Sequence, residues 1–150
     1  MDALTLLPVI EDTQKFRSAH EHDQALPILE KLWGGRPEEA ESLALALATA
    51  EPTIRHRALL ADVRRDLGRI AWAVAEYGEL IDLSRGTARE AALWQHLGKV
   101  HFVGRDYPEA ARAFAVALDL RHRVNAAEDL VASSRLALQR TKFLLSAPYR

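Results

Sequence analysis

One segment, residues 91–120, constrains the fold most, because its apolar residues form two helix-spaced stripes with a break between them. The break runs from Gly104 to Pro108, and a proline suits the first turn of a new helix. Small residues at Gly98 and Ala110 allow the two helix axes to approach closely. The segment therefore predicts two antiparallel helices joined by a short turn. The first stripe is Trp94, Leu97, Gly98 and His101, and the second is Ala110, Phe114 and Ala117.

The composition of the whole chain also favours helices. Alanine, leucine, arginine and glutamate dominate it, and these are strong helix formers, whereas β-branched residues are few and scattered. A length of 150 residues suits one domain, residues 1–150. The absence of cysteine excludes disulfides, thiolate metal sites and a cysteine nucleophile. We therefore expect a single all-α domain.

Two earlier parts of the chain repeat the second stripe. The copy at residues 54–87 begins with apolar residues for a first helix and has a glycine, Gly68, at the turn. The copy at residues 5–33 is weaker, and we assign its Val9 and Phe16 to a first helix. The chain is thus predicted to contain about three hairpins. The repeated residues are Ala73, Tyr77, Leu80 and Leu83 in one copy and Ala25, Leu29 and Leu32 in the other.

The segment 91–120 resembles the tetratricopeptide repeats, whose motif is W-x2-L-G-x2-Y followed by A-x3-F. It departs from that motif at His101, where tyrosine is usual, and lacks the terminal proline near His122. The resemblance implies a right-handed superhelical stack of antiparallel hairpins, about 7–8 helices in all, that binds proteins or peptides on its inner face. The residues that match are Trp94, Leu97, Gly98, Ala110, Phe114 and Ala117.

Residues 34–53 do not fit this repeat. The stretch from Gly34 to Pro37 ends one helix and begins another at 38–50, whose first turn is acidic, as the helix dipole favours. Two arrangements stay open: a helix inserted between two hairpins, or a helix that pairs with residues 53–66 and shifts the hairpin phase. Residues 128–145 predict a final helix that caps the stack, and residues 146–150 predict a frayed tail.

Signals of catalysis are weak. The chain has no dinucleotide or P-loop glycine motif, no serine-hydrolase elbow and no HExxH metal motif. Of six histidines, only His20 and His22 cluster, on either side of Glu21, and a transition-metal site needs three or four converging ligands. We interpret that cluster as a solvated turn and His101 as a core histidine. We therefore expect no enzyme activity, no bound metal and no cofactor.

The distribution of charge and hydropathy narrows the class of partner. The net charge is −1 and basic pairs alternate with acids, which argues against a nucleic-acid surface. The longest late apolar stretch, residues 43–50, is far shorter than the roughly 20 residues of a membrane span, and the start lacks the pattern of a signal peptide. We expect a soluble, cytoplasmic protein with no nucleic-acid or membrane partner.

A groove for a partner follows from the helix rotation of 100° per residue, which turns certain residues away from the packed stripes. Basic residues beside Phe102 suit an acidic or carboxylate-bearing peptide with one apolar anchor. Two alternatives to a binding groove stay open: these residues are simply solvated, or the terminal helix covers them. A different function is a sensor subunit that binds a small effector in a closed, apolar pocket. An exposed Trp72 would indicate a protein contact, self-association included. The predicted groove residues are Arg55, Asp62, Arg65, Gln95, Lys99 and Phe102.

Overall fold

A computed structural model of the chain describes residues 1–147, and within them it contains eight helices and no strand. The all-α prediction is therefore confirmed. The predicted final helix is present, and it extends to Ser146, while residues 148–150 of the predicted tail lie outside the described part. The helices are α1 (Thr13–Ala19), α2 (Leu26–Trp33), α3 (Pro37–Ala50), α4 (Ile54–Asp66), α5 (Ile70–Leu83), α6 (Glu90–Val103), α7 (Tyr107–Arg123) and α8 (Glu128–Ser146).

From α2 to α8, each helix packs against its neighbours in the chain, and α4 also packs against α6. The helix predicted at 38–50 is α3, and it contacts both α2 and α4. It is therefore a full member of the packed row. Our assignment of residues 25–32 to the second helix of a hairpin is wrong, because α2 leads directly through a tight turn into α3. Neither arrangement that the sequence left open describes α3 fully: it packs against residues 54–66, as the second one expects, but its hairpin turn joins it to α2.

The same three-residue turn joins α2 to α3, α4 to α5 and α6 to α7. In each, the middle residue has a left-handed backbone: Gly35 at φ 75°, Gly68 at φ 79° and Arg105 at φ 62°. The amide of the third residue donates to a carbonyl five positions earlier, as from Arg69 to Arg64 at 2.8 Å. This is the Schellman geometry that satisfies the last carbonyls of a helix. It makes three hairpins out of six helices.

Close packing at Gly98 holds α6 against α7. A Cβ atom built on Gly98 would lie 2.5 Å from the ring of Phe114, a distance that no real contact allows. The small residue is needed there because the Phe114 ring, which is fully buried, fills the space beside it. This confirms the close approach of the two helices that the stripes predict.

The core is divided into three clusters along the row. The first joins α2, α3 and α4, and the second joins α4, α5 and α6 with Ala113 of α7. The third joins α6, α7 and α8 with Leu6, a residue that precedes α1 and is therefore distant from these helices in sequence. Among residues 1–147 no helix is both long and apolar enough to cross a membrane. The buried members of the third cluster are Leu6, Phe102, Ala110, Phe114 and Ala137.

Candidate binding cleft

A cleft of about 410 Å³ opens between α2, α4 and α6. Its floor is apolar because each of these helices turns aliphatic or aromatic side chains toward it, and its edge carries charged and imidazole groups. The α1–α2 loop and Arg89, which precedes α6, complete the edge. The apolar lining residues are Leu29, Trp33, Ile54, Ala58, Leu59, Ala92 and Leu93, and the polar ones are His20, Asp23, Arg55, Asp62, Arg89 and His96.

One wall of the cleft is aromatic. The rings of Phe16 and Trp33 lie 5.4 Å apart, and the ring of His20 meets Trp33 edge-on at 6.3 Å. His20 is oriented by a 2.9 Å hydrogen-bonding contact between its Nδ1 atom and the carbonyl of Phe16. The short helix α1 therefore contributes to the cleft mainly by placing the rings of Phe16 and His20 against Trp33 of α2. Such a wall offers a flat apolar surface with one polar edge.

The two arginines at the edge differ in their pairing. Arg55 donates to the carboxylate of Asp23, and this hydrogen bond is the main reason that the pKa of Asp23 lies below its usual range. Arg89 is exposed, and its side chain makes no hydrogen bond or ion pair within residues 1–147. The edge thus presents one neutralised arginine and one whose charge is uncompensated. An anionic group on a ligand is complementary to the second.

A buried polar network supports the side of the cleft formed by α4 and α6. The carboxylate of Asp62 accepts from Arg65 Nη1 at 2.8 Å and from the hydroxyl of Tyr77 at 2.7 Å, and lies 3.2 Å from Nδ1 of His96. The His96 ring stacks on Tyr77 with centroids 5.7 Å apart. Burial raises the pKa of Asp62, but Arg65 and His96 outweigh it, so the pKa lies well below its ordinary value. Asp62 is therefore an anion held in place, which orients His96 toward the cleft.

The structure places two of the predicted groove residues, Arg55 and Asp62, in this cleft. The other four are buried elsewhere, so the exposure that we expected for them is wrong. Arg65 is only 2 % exposed because it is enclosed by Asp62 and by Asp66, which it contacts at 2.7 Å. Its guanidinium is committed to the interior of the protein and cannot receive a ligand without breaking these pairs.

Gln95, Lys99 and Phe102 share one face of α6, as the helix rotation predicts, but that face is covered. Gln95 accepts a 2.7 Å hydrogen bond from Ser134 of α8, and Phe102 lies in the third core cluster. Lys99 is buried, and its ammonium makes no hydrogen bond or ion pair within the described part of the chain. Burial lowers the pKa of Lys99 to about 8. Helical rotation tells which residues share a face but not which element covers it.

Several cleft residues were missed by the sequence reasoning. Along α6, Arg89, Ala92 and His96 lie on a neighbouring stripe, one residue from the predicted groove face. A search for polar residues at i and i+7 that flank the apolar stripe, with a small residue between them at i+3, finds this set. No sequence pattern indicates that Trp33 faces the same cleft, because its placement depends on how α2 packs against α4. Among residues 1–147, no group of three His, Asp or Glu residues is placed to hold a metal ion, and His22 is almost fully exposed.

Comparisons with known proteins found no family model, no curated protein and no solved structure that matches this chain. The resemblance to tetratricopeptide repeats therefore depends on the motif residues of segment 91–120 alone. The distinctive elements of the cleft are an apolar floor, an aromatic wall and the charge of Arg89, which no acidic group among residues 1–147 pairs with.

Proposed function

We propose that this chain is an interaction module, a short stack of tetratricopeptide-like hairpins that binds a peptide or a peptide-like segment of a protein in the cleft between α2, α4 and α6. The observation that carries the proposal is the exposed guanidinium of Arg89, which has no partner within residues 1–147, above an apolar floor. A ligand with an apolar side chain and a nearby carboxylate satisfies both features. We infer no catalysis and no cofactor, and we place the protein in the cytoplasm.

The repeated hairpin supports the architectural part of this proposal. Three hairpins share one turn geometry, and α4 packs against α6, so the leading helices of the last two hairpins lie side by side. In helical repeat proteins, leading helices line the surface that binds a partner. The cleft is built from three such helices, α2, α4 and α6. A peptide lying across them would contact one side chain from each helix.

The apolar contact and the ionic contact have separate roles. Trp33 provides a rigid aromatic surface of the kind that contributes most to binding when a ligand covers it. Arg89 lies at the solvent-exposed edge, where charge contributes more to selectivity and association rate than to affinity. The ligand class is therefore a short segment with a bulky apolar residue near an aspartate, a glutamate or a free carboxylate.

Peptide display on the 150-residue chain tests this proposal. We expect the wild-type chain to select segments with an apolar residue beside an acidic one. Arg89→Glu should reverse the acidic preference, and Trp33→Ala should weaken binding of the selected peptides about tenfold or more, which corresponds to about 1.4 kcal/mol.

The matched controls are Arg85→Glu and Trp72→Ala. Arg85 is an exposed arginine close to Arg89 that lies outside the cleft lining, and Trp72 is an exposed tryptophan of α5. Both variants should select the same peptides as the wild type. If Arg89→Glu and Arg85→Glu chains selected identical peptides, the cleft would not be the binding site.

A second candidate is a sensor that holds a small amphipathic carboxylic acid in the same cleft. The volume favours it, because about 410 Å³ falls in the range of small-molecule sites. A titration with an aryl or alkyl carboxylate separates the two functions. Binding is measured by the fluorescence of Trp33 in a Trp72→Phe, Trp94→Phe background. Saturable binding of the free acid supports the sensor, and binding of only the selected peptides supports the interaction module.

A further inference from the structure

The first residues of the chain form a compact turn of their own. The side chain of Asp2 accepts hydrogen bonds from the amides of Leu4 and Thr5 at 2.9 and 2.7 Å and from the Thr5 hydroxyl at 2.9 Å. The backbone closes the turn, since the Leu6 amide donates to the carbonyl of Asp2 and the Asp2 amide to that of Leu7. The segment 1–7 therefore holds its shape mainly through its own hydrogen bonds.

One side chain attaches this turn to the rest of the protein. Leu6 is 0 % exposed and belongs to the third core cluster, whereas Leu4 is 68 % exposed. Leu6 adopts φ 60°, a left-handed backbone that a leucine rarely takes. The surrounding helices and the Asp2 turn hold it there, because burial of the side chain offsets the strain.

The surface that receives Leu6 is built by helices at the other end of the chain. It is formed by the end of α6, the start of α7 and the second half of α8, and we call it the leucine socket. No residue of the socket belongs to the cleft between α2, α4 and α6. Residues 8–12, which link the turn to α1, have no helix or strand. The socket residues are Phe102, Tyr107, Ala110, Phe114, Ala137, Leu138 and Leu144.

A preformed turn, one buried anchor and an irregular linker are the features of a docked ligand. We propose that the leucine socket is a second docking site, distinct from the cleft, and that residues 1–7 occupy it as an intramolecular ligand. The segment that fits it has an aspartate that caps a tight turn and a leucine four residues later. Residues 1–7 compete with any external segment of this chemistry, because the linker keeps them at high effective concentration. The inference does not depend on the function proposed for the cleft.

The experiment uses the 150-residue chain and a peptide of residues 1–10 with a fluorophore at its carboxyl end. Leu6→Glu in the chain introduces a charge that the apolar socket excludes, which empties the socket. We expect the wild-type peptide to bind this variant at least about tenfold more tightly than it binds the wild-type chain, as measured by fluorescence anisotropy.

Matched leucines provide the controls. A Leu4→Glu chain should keep its socket occupied and bind the peptide as weakly as the wild-type chain, because Leu4 is exposed. In the peptide, Leu6→Ala should abolish binding to the Leu6→Glu chain and Leu4→Ala should preserve it. Equal affinity of the peptide for the Leu6→Glu and wild-type chains would overturn the proposal.

Hydrogen exchange on the wild-type chain gives a second test that does not depend on the folding of a variant. A docked ligand opens locally, so the Leu6 amide should exchange at least about 100-fold faster than the amides of α6 and should show its own opening equilibrium. If the Leu6 amide exchanged only when the whole protein unfolds, segment 1–7 would be ordinary core and the proposal would be wrong.

Discussion

Single residues in this protein carry unusual electrostatic roles, because several charges are buried along the middle of the helical row. Asp62 and Arg65 form a buried pair at 2.8 Å, and Tyr77 adds a hydrogen bond to the same carboxylate. Lys99 lies nearby without a partner within the described residues, and burial lowers its pKa to about 8. Removal of a buried charge that is paired should lower the free energy of unfolding, whereas removal of a buried charge without a partner should raise it.

Removing the carboxylate of Asp62 leaves buried Arg65 with Asp66 as its one remaining partner in residues 1–147 and takes the charged acceptor from the Tyr77 hydroxyl. We expect Asp62→Asn to reduce the free energy of unfolding by about 3–5 kcal/mol, the usual cost of breaking a buried pair. The matched change Asp82→Asn breaks an exposed pair with Arg85 and should cost at most about 1 kcal/mol. Urea denaturation of the two variants measures the difference, and similar costs would show that the Asp62 network contributes no special stability.

Replacing Lys99 should have the opposite effect on the free energy of unfolding. Because the folded-state pKa of Lys99 is about 8 and the ordinary value is 10.5, the unfolded chain binds more protons between those pH values. The contribution of Lys99 to stability therefore rises as the pH increases from about 8 to 10.5. Lys99→Met should stabilise the protein at pH 7, and its advantage should shrink through this window. The exposed Lys142→Met is the control, and a constant difference in unfolding free energy between Lys99→Met and the wild type would contradict the assignment.

At the scale of elements, the hairpin turn is the unit that repeats. The three turns share a left-handed middle residue, but only two of them have glycine there. Glycine adopts this conformation at little steric cost, whereas a residue with a Cβ pays about 1–2 kcal/mol. The α6–α7 turn has Arg105 at that position and therefore stores strain that the other two turns lack.

Substitutions at the equivalent turn positions should act in opposite directions. Gly68→Ala should destabilise the protein by about 1 kcal/mol, and Arg105→Gly should stabilise it by about 0.5–1 kcal/mol. Nothing lies within 4 Å of a Cβ added to Gly68, so the first change tests backbone conformation rather than crowding. Thermal unfolding measures both, and equal signs would show that the left-handed turns do not limit stability.

The contact between α6 and α7 predicts a larger effect from a small change. Gly98→Ala adds a methyl group 2.5 Å from the Phe114 ring, so the two helices must separate. We expect a loss of about 1–3 kcal/mol from overpacking, even though alanine favours helix more than glycine does. Gly78→Ala in α5, where an added Cβ meets nothing within 4 Å, should instead be neutral or stabilising. Denaturation midpoints compare them.

At the scale of the whole molecule, stability is shared among three clusters that follow one another along the row. The middle cluster is enclosed on both sides, whereas the ends are covered by α1 on one side and by α8 with Leu6 on the other. Helix α1 has no buried residue, although Phe16 packs partly against the first cluster. The middle of the row is therefore well packed, and the first helix, α1, is weakly attached.

This arrangement predicts an order of local unfolding. Amides of α1 should exchange with solvent at least about 100-fold faster than amides of α4 and α6, because few contacts protect them. Hydrogen exchange with mass spectrometry measures the rates by segment. Uniform exchange across residues 13–103 would indicate one cooperative unit and contradict the description of α1 as a weakly attached helix.

The sequence by itself determined the helical class, the hairpin at residues 91–120 and the contact at Gly98, because these depend on residues close together in the chain. The helical period places Trp94, Leu97 and Gly98 on one face whatever surrounds them. For the same reason, the local pattern of residues 38–50 and 128–145 predicts helices, and the structure has both.

Only the tertiary structure decided which faces stay open. Gln95, Lys99 and Phe102 share a face as the sequence indicates, yet α8 covers Gln95, and Phe102 is enclosed in the cluster that holds Leu6. The cleft brings together Trp33, Arg55 and His96, which are distant in sequence and meet only when α2, α4 and α6 pack. Helical periodicity is a property of neighbouring residues, whereas exposure depends on contacts between remote segments, and for those contacts no local pattern exists.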